Sequence, residues 1–155
     1  MLRFATTPDR QRILAGFLNF RAALHSAGLT QGFHWLNGSF VEDIEVIAGR
    51  GPHDIDVVTF FHLPPNQTQQ TVSQAYPRLF RSGDTKADYQ VDAHFVQLDG
   101  DLPEPLVGQS AYWYSLWSHR RNWQWKGYLE IDLSSSDDAV AKTNLDRIAN
   151  HGGHS

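Results

Sequence analysis

The sequence contains no cysteine, which excludes both a disulfide framework and a thiolate metal site. No apolar run approaches the roughly 18 residues that a membrane-spanning helix needs, so we expect no membrane insertion. The N-terminus has no apolar segment followed by a cleavage site, which favours a cytoplasmic protein over a secreted one. The net charge of −4 disfavours a protein whose main task is coating nucleic acid, but it allows a local basic groove.

The composition is that of a folded chain. Apolar residues make up 41% of the sequence and charged residues 19%, a balance that excludes wholesale disorder. The 155 residues suffice for one domain with a sizeable core. We predict a single domain over residues 1–150 and a disordered tail at 151–155. His151 and His154 are interpreted as part of this disordered end, with adventitious metal binding as the alternative.

Alternating helical and strand-like segments predict an α/β domain whose helices flank a mixed β-sheet. Thr7 and Pro8 are typical of a helix start, and Gly28 is typical of its end. The apolar patterns predict strands at 32–36, 55–61, 89–98 and 126–133, with 55–61 as the buried central strand. The predicted helices after the first are 40–47, 67–82 with a break at Pro77, 108–117, and a last one from a cap at 134–137 to about Asn150.

Two aspartates at the start of the central strand are the strongest functional signal. Fourteen residues separate Ser39 from the sequence Asp54-Ile55-Asp56. Side chains two apart on a strand share a face, so these carboxylates repel each other unless a cation lies between them. Mg²⁺ prefers such oxygen ligands and shares them with phosphates. The Gly38-Ser39 step supplies close backbone approach, N–H donors and a hydroxyl for a phosphate. The simpler interpretation is a pair of polar residues at an exposed strand end.

This combination resembles the polymerase-β-like nucleotidyltransferase superfamily, whose signature is a Gly-Ser turn, a spacer, and an Asp-x-Asp pair on a strand. The match covers Gly38, Ser39, Asp54 and Asp56, although the spacer is slightly longer than usual. The resemblance implies a third carboxylate on a neighbouring strand, for which Asp92 is the candidate.

The resemblance also implies a mechanism. Asp54, Asp56 and Asp92 would hold two Mg²⁺ ions, with Mn²⁺ as a substitute, while Gly38 and Ser39 would hold phosphates. The nucleotide donor would be an NTP, with ATP first, and the acceptor a hydroxyl of a protein or an RNA. The small size resembles minimal prokaryotic nucleotidyltransferases, including those of toxin–antitoxin and phage-defence loci. A partner protein or a second copy of the chain would then complete the site.

Four other residues near the predicted site have competing interpretations. Asp88 and Asp99 compete with Asp92 as the third carboxylate, since they lie at the predicted strand ends. His94 shares a face with Asp92 and would border the site, although a packed or solvent-facing histidine is the simpler interpretation. His53 is interpreted as a loop residue, with a phosphate contact as its alternative role.

The segment 113–126 concentrates four of the five tryptophans and several cations. Aromatic faces stack on bases and cations meet phosphates, a mixture that suits a nucleotide or single-stranded RNA. We predict that Trp113 and Trp117 face the core and that two other tryptophans, 123 and 125, are more open. The candidate nucleotide-binding cations are Arg120, Arg121 and Lys126.

Two other classes of protein compete with the transferase. One is a catalytically silent nucleotide-binding module or antitoxin with the same fold, which would bind nucleotide without releasing pyrophosphate. The other is a metal-dependent nuclease or phosphohydrolase, which also uses clustered acids. The Gly38-Ser39 step favours transfer over hydrolysis, and the presence of both Asp54 and Asp56 favours an active site over a decayed one.

Overall fold

The computed structural model describes residues 1–120 and 122–151. No helix in this part of the chain is long and apolar enough to cross a membrane. Two short 3-10 helices, Leu2–Phe4 and Ser39–Val41, accompany the main elements. These are α1 (Pro8–Ser26), β1 (Gly32–Asn37), α2 (Ile44–Ala48), β2 (Ile55–Phe61), α3 (Gln69–Ala75), α4 (Ser82–Tyr89), β3 (Val91–Gln97), α5 (Pro103–Trp117), β4 (Leu129–Asp132) and α6 (Asp138–His151).

The strands of the described residues form one mixed sheet in the order β3-β2-β1-β4. β1 runs antiparallel to both β2 and β4, whereas β2 and β3 are parallel. A parallel pair needs a long crossover connection, and α3 and α4 supply it. β2 lies in the sheet interior, and six of its seven residues are buried. These features confirm the predicted α/β domain with a mixed sheet and a buried central strand.

Helices cover both faces of the sheet. The apolar residues of α1, including Phe17 and Phe20, fill the larger core cluster on one face. α4 and α6 pack against α1 on that side. On the opposite face, Trp113 and Trp117 of α5 pack against Val58 of β2. The inward orientation predicted for these two tryptophans is confirmed.

The first helix begins and ends as its sequence predicts. The Thr7 side chain accepts a long, 3.4 Å hydrogen bond from the Arg10 N–H, and Pro8 occupies the first turn. Gly28 follows the helix with a φ of +82°, a left-handed conformation that glycine adopts without strain. The local signals at both ends therefore suffice to place α1.

Three predicted boundaries are wrong. β3 begins at Val91 instead of residue 89, because Gln90 ends α4 with a left-handed φ of +57°. α5 begins at Pro103 instead of residue 108, since proline fits the first helical position, where its missing N–H costs nothing. β4 does not extend back to residue 126, because the Lys126 N–H donates to the Ser118 carbonyl in a hairpin instead.

The other helical predictions are partly correct. The predicted break at Pro77 is confirmed, because α3 ends at Ala75. α4 then forms a separate helix that the sequence pattern does not predict. The segment 40–47 divides into the 3-10 turn and α2. α6 begins at Asp138, directly after its predicted cap at residues 134–137, and it includes His151, the first residue of the predicted tail. Residues 152–155 lie outside the described part of the chain.

Candidate functional site

The sheet brings the three candidate carboxylates to one end of β2 and β3. Asp56 is the second residue of β2, and the parallel register places it directly beside Asp92 of β3. Asp54 immediately precedes β2, and its charge acts on Asp56 together with that of Asp92. The third carboxylate proposed from the sequence thus lies next to the Asp-x-Asp pair.

Helix α4 supplies two polar side chains to this cluster that the sequence analysis did not identify. The Lys86 Nζ lies 2.5 Å from Asp54 Oδ2 and 3.9 Å from Asp92 Oδ2. The Ser82 Oγ donates a 2.5 Å hydrogen bond to Asp92 Oδ1. Residues 82 and 86 are four apart and therefore share a helix face. That spacing, in a segment leading into a strand with an aspartate, is the signal that could have revealed them.

The Gly38-Ser39 turn lies directly against Asp56. Gly38 has a φ of +81°, and a Cβ atom built on it would meet Asp56 Oδ2 at 2.7 Å. Asn37 is buried, and the strand register pairs it with Asp56. Its Oδ1 accepts a hydrogen bond from the Gly38 N–H at 2.8 Å, and its Nδ2 donates one to the Trp117 carbonyl at 3.0 Å. Ser39 then begins the 3-10 turn. Asn37 therefore fixes the turn that the sequence proposed as a phosphate site.

The cluster carries excess negative charge around Asp56. Burial raises the pKa of the Asp56 carboxyl above its usual range, and the neighbouring Asp54 and Asp92 raise this pKa further. Lys126 and Lys86 lower the same pKa but do not cancel the effect. Such a group favours a cation or an additional hydrogen-bond donor nearby, which is the electrostatic condition of many functional sites.

Two of the three candidate nucleotide-binding cations meet at Glu42. The Lys126 Nζ donates to Glu42 Oε1 at 2.8 Å and to the Gly38 carbonyl at 3.5 Å. The Arg120 Nε lies 2.7 Å from Glu42 Oε2, an ion-pair distance, although its N–H does not point along a hydrogen bond. Arg121 lies outside the described residues. Lys126 is thus at the Gly38 turn, and Glu42 is a partner that the sequence analysis did not identify.

Each residue with competing interpretations has a defined contact in the structure. Asp88 forms a bidentate pair with Arg78, and Asp99 accepts the Leu63 N–H at 3.0 Å. Both acids therefore serve local contacts away from the Asp56–Asp92 pair. The His94 Nε2 lies 3.5 Å from Asp92 Oδ1, so this histidine borders the cluster, and its ring also packs on Trp113. The backbone carbonyl of His53 accepts from Gln90 Nε2, a loop contact.

The donor chemistry of the cluster suits a hard divalent cation. Among residues 1–120 and 122–151, no three His, Asp or Glu side chains converge closely enough to hold a metal ion. The Lys86 ammonium lies between Asp54 and Asp92, in the position where a positive charge offsets their repulsion. Its side chain is 52% exposed, so it is free to turn into solvent. The predicted Mg²⁺ ligands, Asp54, Asp56 and Asp92, have the oxygen donors that this metal prefers, but holding it would require Lys86 to move aside and the three carboxylates to draw closer together.

We expect Gly38→Ala to damage both stability and site geometry. Alanine is strained at a φ of +81°, and its Cβ would press on the Asp56 carboxylate. The free energy of unfolding, measured by urea denaturation, should fall by about 1–3 kcal/mol. Gly83→Ala is the matched control, because a Cβ at Gly83 meets nothing within 4 Å and alanine favours the helix. Equal stability of the two variants would contradict the close approach of the turn to Asp56.

Comparison with known proteins gives one finding. No curated protein and no solved structure matches the chain significantly. The family described as "Family of unknown function (DUF6932)" matches residues 1–132, which include every element from the N-terminus through β4. The matched region therefore holds the carboxylate cluster, the Gly38-Ser39 turn and the segment 113–126. Because the match covers 132 of the 155 residues, the chain belongs to the DUF6932 family.

Proposed function

We propose that this protein is a Mg²⁺-dependent nucleotidyltransferase that moves a nucleoside monophosphate from an NTP, with ATP as the first candidate, to a hydroxyl group of an RNA or a protein. The observation that carries the proposal is the pairing of Asp56 with Asp92 on adjacent parallel strands, beside Asp54 and the Gly38 turn. The residue types suit a hard cation, and the Gly38 turn beside the carboxylates suits a polyphosphate. The proposal includes a cytoplasmic setting, because NTPs are abundant there.

The proposed reaction is an in-line displacement at the α-phosphorus. The acceptor hydroxyl oxygen forms a bond to this phosphorus, and the bond to the bridging oxygen of the β-phosphate breaks. Pyrophosphate leaves, and Asp92 accepts the proton of the hydroxyl as general base. Mg²⁺ held by Asp54, Asp56 and Asp92 would neutralise phosphate charge and lower the pKa of the hydroxyl.

The remaining residues of the chain position the reacting groups. Ser82 donates to Asp92 Oδ1 and so fixes the orientation of this carboxylate. Lys86 lies between the carboxylates, and in the proposed reaction its half-exposed ammonium would neutralise a phosphate oxygen instead. Lys126, next to the Gly38 carbonyl, adds positive charge at the turn. Positioning and electrostatic stabilisation supply most of the rate in such a mechanism.

A silent nucleotide-binding module is the second candidate, and one observation favours it. The Lys86 ammonium lies 2.5 Å from Asp54, where it competes with a metal ion for the same oxygen. If the lysine stayed in place, Asp54 would have a cation already, and nucleotide would bind without transfer. The two functions therefore differ in whether pyrophosphate is released.

A transfer assay with Asp54→Asn tests the proposal. The purified protein is incubated with Mg²⁺, each α-labelled NTP in turn, and either total RNA or total protein. We expect label on one of these acceptors with the wild type, and at least about a 100-fold loss with Asp54→Asn, because a ligand of the charge-stabilising cation is removed. Mn²⁺ should support transfer in place of Mg²⁺.

Asp101→Asn is the control for this experiment, because Asp101 is an exposed carboxylate outside the cluster. It should transfer label at the wild-type rate. Undiminished transfer by Asp54→Asn would overturn the assignment of the site. Nucleotide binding without pyrophosphate release, with every NTP and both acceptor classes, would favour the silent module.

A further inference from the structure

Two tryptophans project into solvent from the segment that follows α5. Trp123 is 82% exposed and Trp125 is 75% exposed. An indole normally stabilises a protein by burying a large apolar surface, so neither side chain adds much to the stability of this fold. The His119 ring lies 4.1 Å from the Trp125 ring and 6.1 Å from the Trp123 ring, which groups the three rings on one surface.

The backbone holds these rings in a hairpin, whose described residues are 118–120 and 122–126. The Arg120 N–H donates to the Gln124 carbonyl at 2.8 Å, and the Lys126 N–H donates to the Ser118 carbonyl at 2.9 Å. Trp123 has a φ of +65°, in the left-handed region that a bulky side chain rarely adopts. Glycine or asparagine would relieve this strain, so the fold alone gives no reason for tryptophan here.

The hairpin adjoins the carboxylate cluster. Arg120 and Lys126, one on each arm, both meet Glu42. The Lys126 Nζ also reaches the Gly38 carbonyl, and Gly38 lies against Asp56. A chain of direct contacts thus joins the hairpin to the proposed reaction centre. If one part of a molecule stacked on the exposed rings, an adjacent part of the same molecule would lie near the carboxylates.

The charge of this region is opposite to that of the rest of the protein. Residues 105–129 contain no aspartate or glutamate, whereas Arg120, Arg121 and Lys126 are cationic. The chain as a whole has a net charge of −4. Among the described residues, Arg120 and Lys126 carry two positive charges, of which Glu42 offsets one. A region with aromatic rings and net positive charge attracts a polyanion that carries rings, and it repels the same region of a second copy of this chain.

We propose that the hairpin binds unpaired nucleobases of a single-stranded RNA, by stacking on Trp123 and Trp125, and that it delivers this RNA to the carboxylate cluster as acceptor. The inference rests on the proposed function and chooses RNA over protein as the substrate class. Single strands suit the surface because their bases are free to stack, whereas a duplex hides them.

A binding assay without Mg²⁺ or NTP tests the hairpin separately from catalysis. Fluorescence anisotropy is measured with a labelled RNA of about a dozen nucleotides, single-stranded or annealed to its complement. We expect the wild type to prefer the single strand, and the Trp123→Ala/Trp125→Ala variant to bind it at least about tenfold more weakly. Trp123→Phe/Trp125→Phe, which keeps aromatic faces, should bind within about threefold of the wild type. The thermal midpoint should change little in either variant, because both indoles are exposed.

Val140→Ala is the control, because it removes an exposed apolar side chain from α6, outside the hairpin. It should leave RNA affinity unchanged. Wild-type affinity in the double alanine variant, or no RNA binding up to about 100 μM, would overturn the inference. A third result would also overturn the inference: the wild type binds free ATP but not RNA, and the double alanine variant loses the ATP binding. The rings would then be assigned to the nucleotide donor. RNA binding without transfer of label would contradict the proposed function and the role of RNA as acceptor, but not the stacking on Trp123 and Trp125. Transfer to protein without RNA binding would contradict only the RNA inference.

Discussion

Replacing Asp56 with asparagine is expected to abolish nucleotide transfer while increasing the stability of the fold at neutral pH. Asp56 lies between two flanking strands, because the register pairs it with Asn37 of β1 and with Asp92 of β3. Asparagine keeps the shape of the side chain but removes the charge that the proposed cation site requires. Transfer, measured with an α-labelled NTP, should fall by about 10³-fold or more.

The expected gain in stability follows from the pKa of Asp56. Burial, assisted by Asp54 and Asp92, raises this pKa in the folded protein above its value in the unfolded chain. The folded state then holds the proton more tightly, so the contribution of Asp56 to stability is fully present below the unfolded pKa. It is lost as the pH rises through the folded pKa. At neutral pH the ionised carboxylate therefore destabilises the folded state. Replacing it with a neutral amide should raise the free energy of unfolding.

Urea denaturation over a pH series measures this effect. The wild type should lose stability relative to Asp56→Asn as the pH rises through the acidic range, and the difference should be constant at neutral pH. Asp54→Asn is the informative contrast, because Asp54 has the Lys86 ammonium at 2.5 Å and its removal should not stabilise the fold. Undiminished transfer by Asp56→Asn would contradict the assignment of the site. A free energy of unfolding no higher than that of the wild type would contradict the charge imbalance at Asp56.

The sequence predicts the strands of this site better than it predicts the contacts between them. β2 is recognisable because its apolar run is nearly continuous, and Asp54 and Asp56 stand at its start. Asp92 is recognisable only as an aspartate on a strand. Its position beside Asp56 depends on the parallel register of β2 and β3, which no local pattern encodes.

The residues that the sequence analysis missed share a physical reason. Lys86 meets Asp54 across 32 positions of the chain, and Glu42 meets Lys126 across 84. Pairings of this kind depend on tertiary structure, whereas composition and periodicity report only on neighbours. α4 is also short and polar and contains Gly83 in its first turn, so it lacks the apolar stripe that identifies α1.

Replacing Arg10 with methionine is expected to cost about 2–4 kcal/mol of folding free energy, because it leaves the buried Phe40 carbonyl and the part-buried Glu42 carbonyl without their donor. The Arg10 guanidinium is nearly inaccessible to solvent. Its Nε and Nη2 each donate to Glu45 at 2.7 Å, its Nη1 donates to the Phe40 carbonyl at 2.7 Å, and its Nη2 also donates to the Glu42 carbonyl at 2.6 Å. The Arg10 side chain of α1 thus fixes the position of segment 40–45, which follows the Gly38-Ser39 turn.

The consequence of this substitution reaches the proposed site through Glu42. The backbone of Glu42 is held by Arg10, while its carboxylate holds Lys126 and lies beside Arg120. Without Arg10, the segment 40–45 should loosen, and Lys126 should lose its fixed position next to Gly38. We therefore expect Arg10→Met to reduce transfer even at temperatures where the variant is fully folded, as judged by circular dichroism.

Arg12→Met is the matched control, because Arg12 lies on the same helix and its pair with Asp9 is exposed to solvent. Exposed pairs of this type contribute little, so its free energy of unfolding should stay within about 0.5 kcal/mol of the wild type. A loss below about 1 kcal/mol for Arg10→Met in urea denaturation would contradict the role of Arg10 as the anchor of segment 40–45. A large loss of stability with undiminished transfer by the folded fraction would show that the segment holds the fold together but does not set the geometry of the Gly38 turn.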